Sequence, residues 1–181
     1  RDDTMNPIGA GLQDLETPVL LVDQSALQRN IERMAAFFRG DGKTPPPRAQ
    51  LRPHFKNNKC TQIARRQIAA GAIGMTCAKV TEAEALADAG IKDILIANQI
   101  VGERKVERLL ALAARTQLRV AIDDIAQVQP ISAAASRAGV TVGLLIEVNI
   151  GMGRCGLAPG EPVLELAKKL AQLGHKVDIY T

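Results

Sequence analysis

The sequence predicts an α/β protein built on a parallel sheet, and three observations predict it. Short apolar runs alternate with amphipathic stretches at a spacing of roughly twenty to thirty residues. The runs, such as Ile94-Leu95-Ile96-Ala97 and Gly143-Leu144-Leu145-Ile146, are nearly continuous, as strands covered on both faces are. Glycines stand where helical stretches end, at Gly71, Gly90 and Gly139. Open doubly wound sheets and closed (β/α)8 barrels both fit this pattern. At 181 residues the chain is long enough for one domain with a sizeable core.

Residues 1–16 are polar and read as an irregular lead-in. Met5 lies inside them, so Arg1 to Thr4 read as an upstream extension or an expression remnant. Thr17-Pro18-Val19-Leu20-Leu21-Val22-Asp23 reads as a strand, with Pro18 confining it to a start or an edge. Ser25 is the expected N-cap of a helix from Ala26 to Phe38, whose Leu27, Ile31, Met34, Ala35 and Phe38 follow helical spacing. Gly40 to Pro47 is a loop that Pro45-Pro46-Pro47 cannot continue as helix.

The regular repeat starts after that loop. An extended segment, Ala49 to Pro53, leads to a helix from Thr61 to Ala70. Ala72 to Thr76 is a strand. Thr81 with Glu84 forms a capping-box pattern for the helix that ends at Gly90. Asp93–Ala97, Leu118–Ile122 and Val142–Asn149 are strands, and Glu103–Ala114, Ile125–Ala138 and Glu161–Leu173 are helices, with Pro130 weakening the first turn of the second of these. Lys176 to Tyr180 begins one more strand. About six strands are therefore expected after the Pro-rich loop, two short of a closed barrel of about 250 residues.

Composition excludes several function classes. With no Trp, one Tyr and three Phe, the chain has few surfaces on which bases could stack. The net charge of +4 is spread along the chain without a basic arm, so nucleic acid is not an expected partner. No apolar run reaches membrane-spanning length and no signal peptide is visible. Cys60, Cys77 and Cys155, odd in number and widely spaced, argue against a disulfide framework or a zinc site. A reducing cytoplasm is the expected compartment.

In parallel βα folds, ligands bind at the carboxyl ends of the strands. Polar residues gather at those ends here: Arg52, His54, Lys56 and Lys59; Cys77 to Lys79; Asn98 and Gln99; Asp123 and Asp124; and Glu147, Asn149 and the loop Gly151-Met152-Gly153-Arg154-Cys155-Gly156. A lysine crowded by other cations and partly desolvated loses its proton more easily and can form a Schiff base. Lys56 is placed for that, with Arg52, His54 and Lys59 as neighbours in sequence; the alternative is a solvated, inert loop lysine. His54 could orient a cofactor or shuttle protons, or simply cap a strand end. Arg154 between glycines could offer a fixed fork of donors to a ligand, or be a surface arginine on a turn. The GxGxxG spacing at 151–156 falls mid-repeat, which argues against a dinucleotide loop. Glu147 and Asp123 read as supporting carboxylates or strand-end caps. The cysteines read as small packing residues.

These residues, in this order, carry a resemblance. Thr17-Pro18 with Asp23, Arg52-Pro53-His54-x-Lys56-x-x-Lys59, the stretch from Lys79 to Gly90, and Gly151 to Gly156 resemble the N-terminal part of the D-threonine aldolase and D-serine dehydratase family. That family is similar in fold to the N-terminal barrel of alanine racemases, the fold-type III pyridoxal-phosphate enzymes. The resemblance covers the chain from about Thr17 to its end and implies a TIM-type (β/α)8 barrel, represented here by about six strands. It implies that Lys56 carries the internal aldimine with pyridoxal 5′-phosphate and that Arg154 approaches the cofactor ring. It also implies that His54, Arg52 and Lys79 line the pocket. Residues 1–48 would precede the barrel of 49–181, with the strand at 17–23 pairing with a C-terminal β-domain. Two departures stand out. Asn58 replaces a histidine usual in the motif. The β-domain histidine and acidic residue that bind a divalent cation (manganese, magnesium or zinc) in some members have no counterpart in this sequence.

The activity implied is a lyase acting on β-hydroxy-D-amino acids, foremost a D-threonine aldolase type cleaving to glycine and an aldehyde, in a homodimer. A D-serine dehydratase or 3-hydroxyaspartate-type lyase, an alanine racemase-like racemase, a non-catalytic pyridoxal-phosphate carrier and a fragment inert on its own remain as alternatives.

Overall fold

Strand order decides between the two α/β architectures. In the computed structural model, which describes residues 9–40 and 49–173, four strands form one parallel sheet: β1 (Met75–Cys77), β2 (Asp93–Ile96), β3 (Gln117–Ile122) and β4 (Gly143–Ile146). They lie side by side in sequence order, β1-β2-β3-β4. Right-handed crossovers between successive neighbours put every connecting helix on the same face. A doubly wound sheet would instead reverse its order at a switch point. The arrangement is that of a barrel wall.

The crossovers are α2 (Thr61–Ala69), α3 (Val80–Asp88), α4 (Glu103–Ala113), α5 (Ile125–Ala138) and α6 (Glu161–Gln172), each packed on its sequence neighbours. Their apolar stripes, such as Val106, Leu109 and Leu112 of α4, meet the strand residues that face them. Met75, Ile94 and Leu118 sit at one level of the sheet; Cys77, Ile96 and Val120 sit two residues higher. All six are buried, with Ile122 and Ile146 above them. Full burial of each such side chain contributes about 1.5–3 kcal/mol, which makes this layer the main source of stability. Pro130 does not break α5, and Gly139, in the left-handed region at φ +64°, closes it with N–H bonds to Ala135 and Ser136.

Alternation along the strands gives the other face to Thr76, Leu95, Arg119 and Gly143, which register with one another. Near its N-terminal end this face holds an ion cluster. Arg52 grips Asp93 with both terminal nitrogens, at 2.8 and 3.1 Å, and Arg119 reaches the same carboxylate at 2.6 Å.

The expected first strand of the repeat is present as an edge. Ile73 donates to Leu51 O, Thr76 to Pro53 O and Phe55 to Thr76 O, at 3.0, 2.8 and 2.7 Å. Only the His54–Thr76 bridge has ladder geometry, because Pro53 can accept but not donate.

Several local expectations are corrected. Thr17 to Asp23 forms no strand in the structure, and its apolar side chains are exposed, Leu20 to 96%. Helix α1 runs Gln24–Arg39, and its cap is Asp23, whose carboxylate accepts the Ala26 N–H at 2.8 Å; Ser25 lies inside the first turn. Helix α3 begins one residue before Thr81, at Val80, with Lys79 at the N-cap position. Glu84 does not complete a capping box. It pairs with Arg108 of α4, while Glu82 reaches back to the Ala78 N–H. The Pro-rich loop and the strand expected at 176–180 lie outside the described residues, apart from Gly40.

Candidate functional site

The carboxyl ends of the strands gather two polar clusters. The first surrounds Lys56. Phe55, 2% exposed, plugs the core and anchors the start of a turn that Lys59 closes, its N–H donating to Phe55 O at 2.9 Å. Lys59 takes φ +48°, the left-handed region that non-glycine residues adopt only when other bonds hold them. Its ammonium meets Glu82 Oε1 at 2.8 Å. Between these anchors Lys56 is exposed, and its side chain has no hydrogen-bond or ion-pair partner among the described residues.

His54 sits beside it. Its Nδ1 accepts the Lys56 backbone N–H at 3.2 Å, so in the neutral ring the proton is on Nε2. Partial burial, then the charge of Lys56, hold the imidazole pKa below the usual 6.5 against the opposing pull of Glu82. The ring is therefore neutral at pH 7. Glu82 is 6% exposed. Burial pushes its pKa up, but the hydrogen bonds from Lys59 and the Ala78 N–H, with the charges of Lys59 and Lys79, outweigh this and leave it below 4.5. Cys77, behind the turn, has its thiol pushed up to about 12 by burial and by Glu82, so it is a packing residue.

The second cluster carries the glycine-rich loop. Gln99 Nε2 donates to Asp123 at 3.2 Å and to Glu147 at 2.7 Å, tying the ends of β2, β3 and β4. Asp123 also accepts from Gln127 at 2.9 Å and from the Gly156 N–H at 2.9 Å. Glu147 accepts from the Cys155 thiol at 3.0 Å, and Asn149 caps the N–H groups of Gly151 and Gly153. Gly156, at φ +92°, has no room for a side chain: a Cβ would lie 2.9 Å from Asn149 N and 3.0 Å from the Val148 carbonyl carbon. The loop thus returns to pair Leu157 with Val148 and projects Arg154 from its crest. Arg154 is exposed and has no polar partner among the described residues.

Not every residue expected at the site reaches it. Arg52 shares a face with His54 but lies toward the opposite end, committed to Asp93. Lys79 is exposed on a cleft of about 300 Å³ where α3 and α4 begin, with Thr81, Asn98, Gln99 and Lys105. The cationic crowd around Lys56 is thereby dispersed, since Arg52 and Lys59 each have a carboxylate. Asn58, at the position of the usual histidine, accepts the Cys60 N–H at 2.9 Å and so shapes the entry to α2. Asp124 caps α5. Sequence reasoning missed Glu82, Gln127 and the bridging role of Gln99. Glu82, at the third position of a helix, carried the signal of a carboxylate reaching back to free N–H groups.

A cavity of about 470 Å³ among the described residues is not this site. It lies between α1 and α2, lined by Leu27, Ile31, Met34, Leu51 and Ile63 among others, and holds no titratable side chain. Among the described residues no group of three or more His, Cys, Asp or Glu could hold a metal ion, and no helix is long and apolar enough to cross a membrane.

Residues 22–180 match the family model described as alanine racemase, N-terminal domain. The chain belongs to this family. Within it, the chain is 38% identical over 166 residues to the D-threonine aldolase of Arthrobacter sp, covering 91% of this chain and 42% of that protein. It is 35% identical over 165 residues to the 3-hydroxy-D-aspartate aldolase of Paracoccus denitrificans, covering 90% and 41%. Among solved structures, the D-threonine aldolase from Filomicrobium marinum superposes with a TM-score of 0.82 at 45% identity, over 89% of this chain and 42% of that one. The chain therefore spans about two fifths of the length of these relatives.

Proposed function

We propose that Lys56 is the covalent attachment point for pyridoxal 5′-phosphate in a lyase that cleaves β-hydroxy-D-amino acids, most closely of the D-threonine aldolase type. The observation that carries this is a lysine side chain without a polar partner among the described residues, at the carboxyl end of parallel strands and held beside a neutral imidazole. The relatives named aldolase, at 35–45% identity, support the same reaction class.

The residues present suit that cofactor. Lys56 offers a side-chain nitrogen without a polar partner among the described residues, on a turn fixed at both ends. His54 can donate from Nε2 to a ligand while Nδ1 is held by the backbone. Arg154 offers a guanidinium without a polar partner among the described residues, on a loop whose glycines let backbone come close. The cofactor, when bound, supplies an electron sink for the bond broken at the substrate's Cα. The chain's part is to fix the cofactor through Lys56, to orient it from His54 and Arg154, and to hold those two elements rigid through Glu82 and through Gln99, Asp123 and Glu147. Lys79 remains a candidate to meet an anionic substrate group from its cleft. The divalent cation that the resemblance implies in some members would be held by the β-domain, as would the partner for residues 17–23. The same resemblance suggests a homodimer.

Two assays separate the activities. Aldehyde release from D-threonine, with and without manganese, is expected for the aldolase. Keto-acid release from D-serine or a 3-hydroxyaspartate, without aldehyde, would replace it by the dehydratase reading. The relative from Delftia sp. named D-threo-3-hydroxyaspartate dehydratase, 33% identical, gives that outcome a basis.

A further inference from the structure

Two lysines occupy one turn, and a carboxylate treats them differently. Lys59 closes the turn three residues after Lys56 and points its ammonium at Glu82 Oε1, 2.8 Å away. The second oxygen of Glu82 accepts the Ala78 N–H, also at 2.8 Å. Both oxygens of a carboxylate that is 6% exposed are thus engaged, and its pKa stays below the usual value, so its charge persists at pH 7. A lysine nitrogen drawn to that carboxylate is held in place by the ion pair and must leave it to meet a carbonyl carbon. Lys56 has no such partner among the described residues.

We propose that Glu82 selects which lysine reacts: by engaging the Lys59 nitrogen in a hydrogen-bonded ion pair, it leaves Lys56 as the lysine of this turn open to an aldehyde. The inference rests on the reading of Lys56 given above. Glu82 acts through Lys59, so it is a positioning residue. Without it the turn would present two competing lysines, and the cofactor would be distributed between two geometries, only one of which starts from the residue bonded to His54.

The chemistry read out is a condensation. The lysine nitrogen adds to the aldehyde carbon of pyridoxal 5′-phosphate, a C=N bond forms, and the carbonyl oxygen leaves as water. Borohydride then transfers hydride to that carbon while solvent protonates the nitrogen. The resulting secondary amine survives digestion and is located by peptide mass mapping.

The test compares the protein with Lys56→Ala and with Lys56→Ala/Glu82→Gln, each incubated with pyridoxal 5′-phosphate, reduced and mapped. The expected pattern is an adduct at Lys56 in the parent, none in the turn for Lys56→Ala, and an adduct at Lys59 once Glu82 is also changed. Lys56→Ala/Glu82→Asp keeps the buried charge but draws it back by one methylene. It serves the same comparison if the amide variant does not fold, and a Lys59 adduct is again expected. An adduct at Lys59 in Lys56→Ala with Glu82 intact overturns the inference, as does none at Lys59 in the folded double variants. A parent with no adduct, or with its adduct at Lys79 instead of Lys56, overturns the reading of Lys56 itself.

Discussion

Replacing Gly156 by alanine should release the loop that carries Arg154, and Gly153→Ala is the control. Gly156 has φ +92°, and an added Cβ would meet only backbone atoms: Asn149 N at 2.9 Å, Val148 C at 3.0 Å and Glu147 O at 3.1 Å. Backbone of a paired strand end cannot rotate aside as a side chain would. The conformational strain is worth about 1–3 kcal/mol. If the loop shifts to relieve it, the bond from the Gly156 N–H to the Asp123 carboxylate is lost, a further 1.5–3 kcal/mol or about that, as for hydrogen bonds to charged groups. Gly153 also has positive φ, +62°, but its Cβ would enter open space. Its cost is limited to about 1–2 kcal/mol of left-handed backbone strain. Urea unfolding should therefore show a loss of about 3–5 kcal/mol for Gly156→Ala, clearly larger than for Gly153→Ala. Titration with pyridoxal 5′-phosphate, followed by its visible absorption, should show affinity weakened by about tenfold or more in Gly156→Ala only, since 1.4 kcal/mol of lost positioning has that effect. Equal losses in the two variants, or wild-type affinity in a destabilised Gly156→Ala, would refute the anchoring role given to this loop.

Other consequences follow from the same structure. Arg52→Ala should lower stability by about 1.5–3 kcal/mol through loss of its bonds to Asp93, while cofactor affinity of the folded protein is unchanged; lost affinity at unchanged stability would return Arg52 to the site. Glu82 has a folded pKa below 4.5, so its contribution is complete above pH 4.5 and disappears as pH falls through the lower folded value. Acid unfolding curves should steepen in that window and be flatter there in Glu82→Gln; parallel curves would contradict the buried pair. His54 is likewise depressed below 6.5, so stability should decline as pH falls past that value, and His54→Asn should remove that portion of the slope, as chemical unfolding between pH 7 and 5 would show. A thiol reagent at pH 8 should modify the two partly exposed cysteines, Cys60 and Cys155, in the native protein and Cys77 only after unfolding, because Cys77 is fully buried with a pKa pushed up to about 12. Three equally fast thiols would show that β1 is not covered as described.

How far the molecule could be read from its residues depended on whether the signal was local. Continuous apolar runs at Ile94 and Leu144 and the glycines at 90 and 139 located strands and helix ends to within a few residues, because burial and left-handed caps act on neighbouring residues. Barrel-type winding was not decidable from that pattern, since it depends on which strands are neighbours. Cap choice failed at Ser25 and Thr81, where adjacent acidic residues, Asp23 and Glu82, took the free N–H groups instead. The pairing of Arg52 with Asp93 escaped notice for a related reason. Arg52 lies two positions before His54, which keeps the face the same but moves the side chain toward the other end of the strand, where Asp93 waits 41 residues on in sequence. Thr17 to Asp23 has strand composition without a strand, since a strand needs a partner edge as well as apolar residues. The pairing of Lys59 with Glu82 was invisible because it joins consecutive crossover units, whereas Lys56 and Arg154 stood out through their flanking motifs.

The central claim is that Lys56 binds the cofactor covalently, and reconstitution tests it most directly. The folded protein, mixed with pyridoxal 5′-phosphate and dialysed, should retain a visible absorption band that borohydride abolishes, with the label mapping to Lys56. Lys56→Ala, folded to the same extent, should retain none. An equal band in that variant, or no band in the folded parent, would contradict the account.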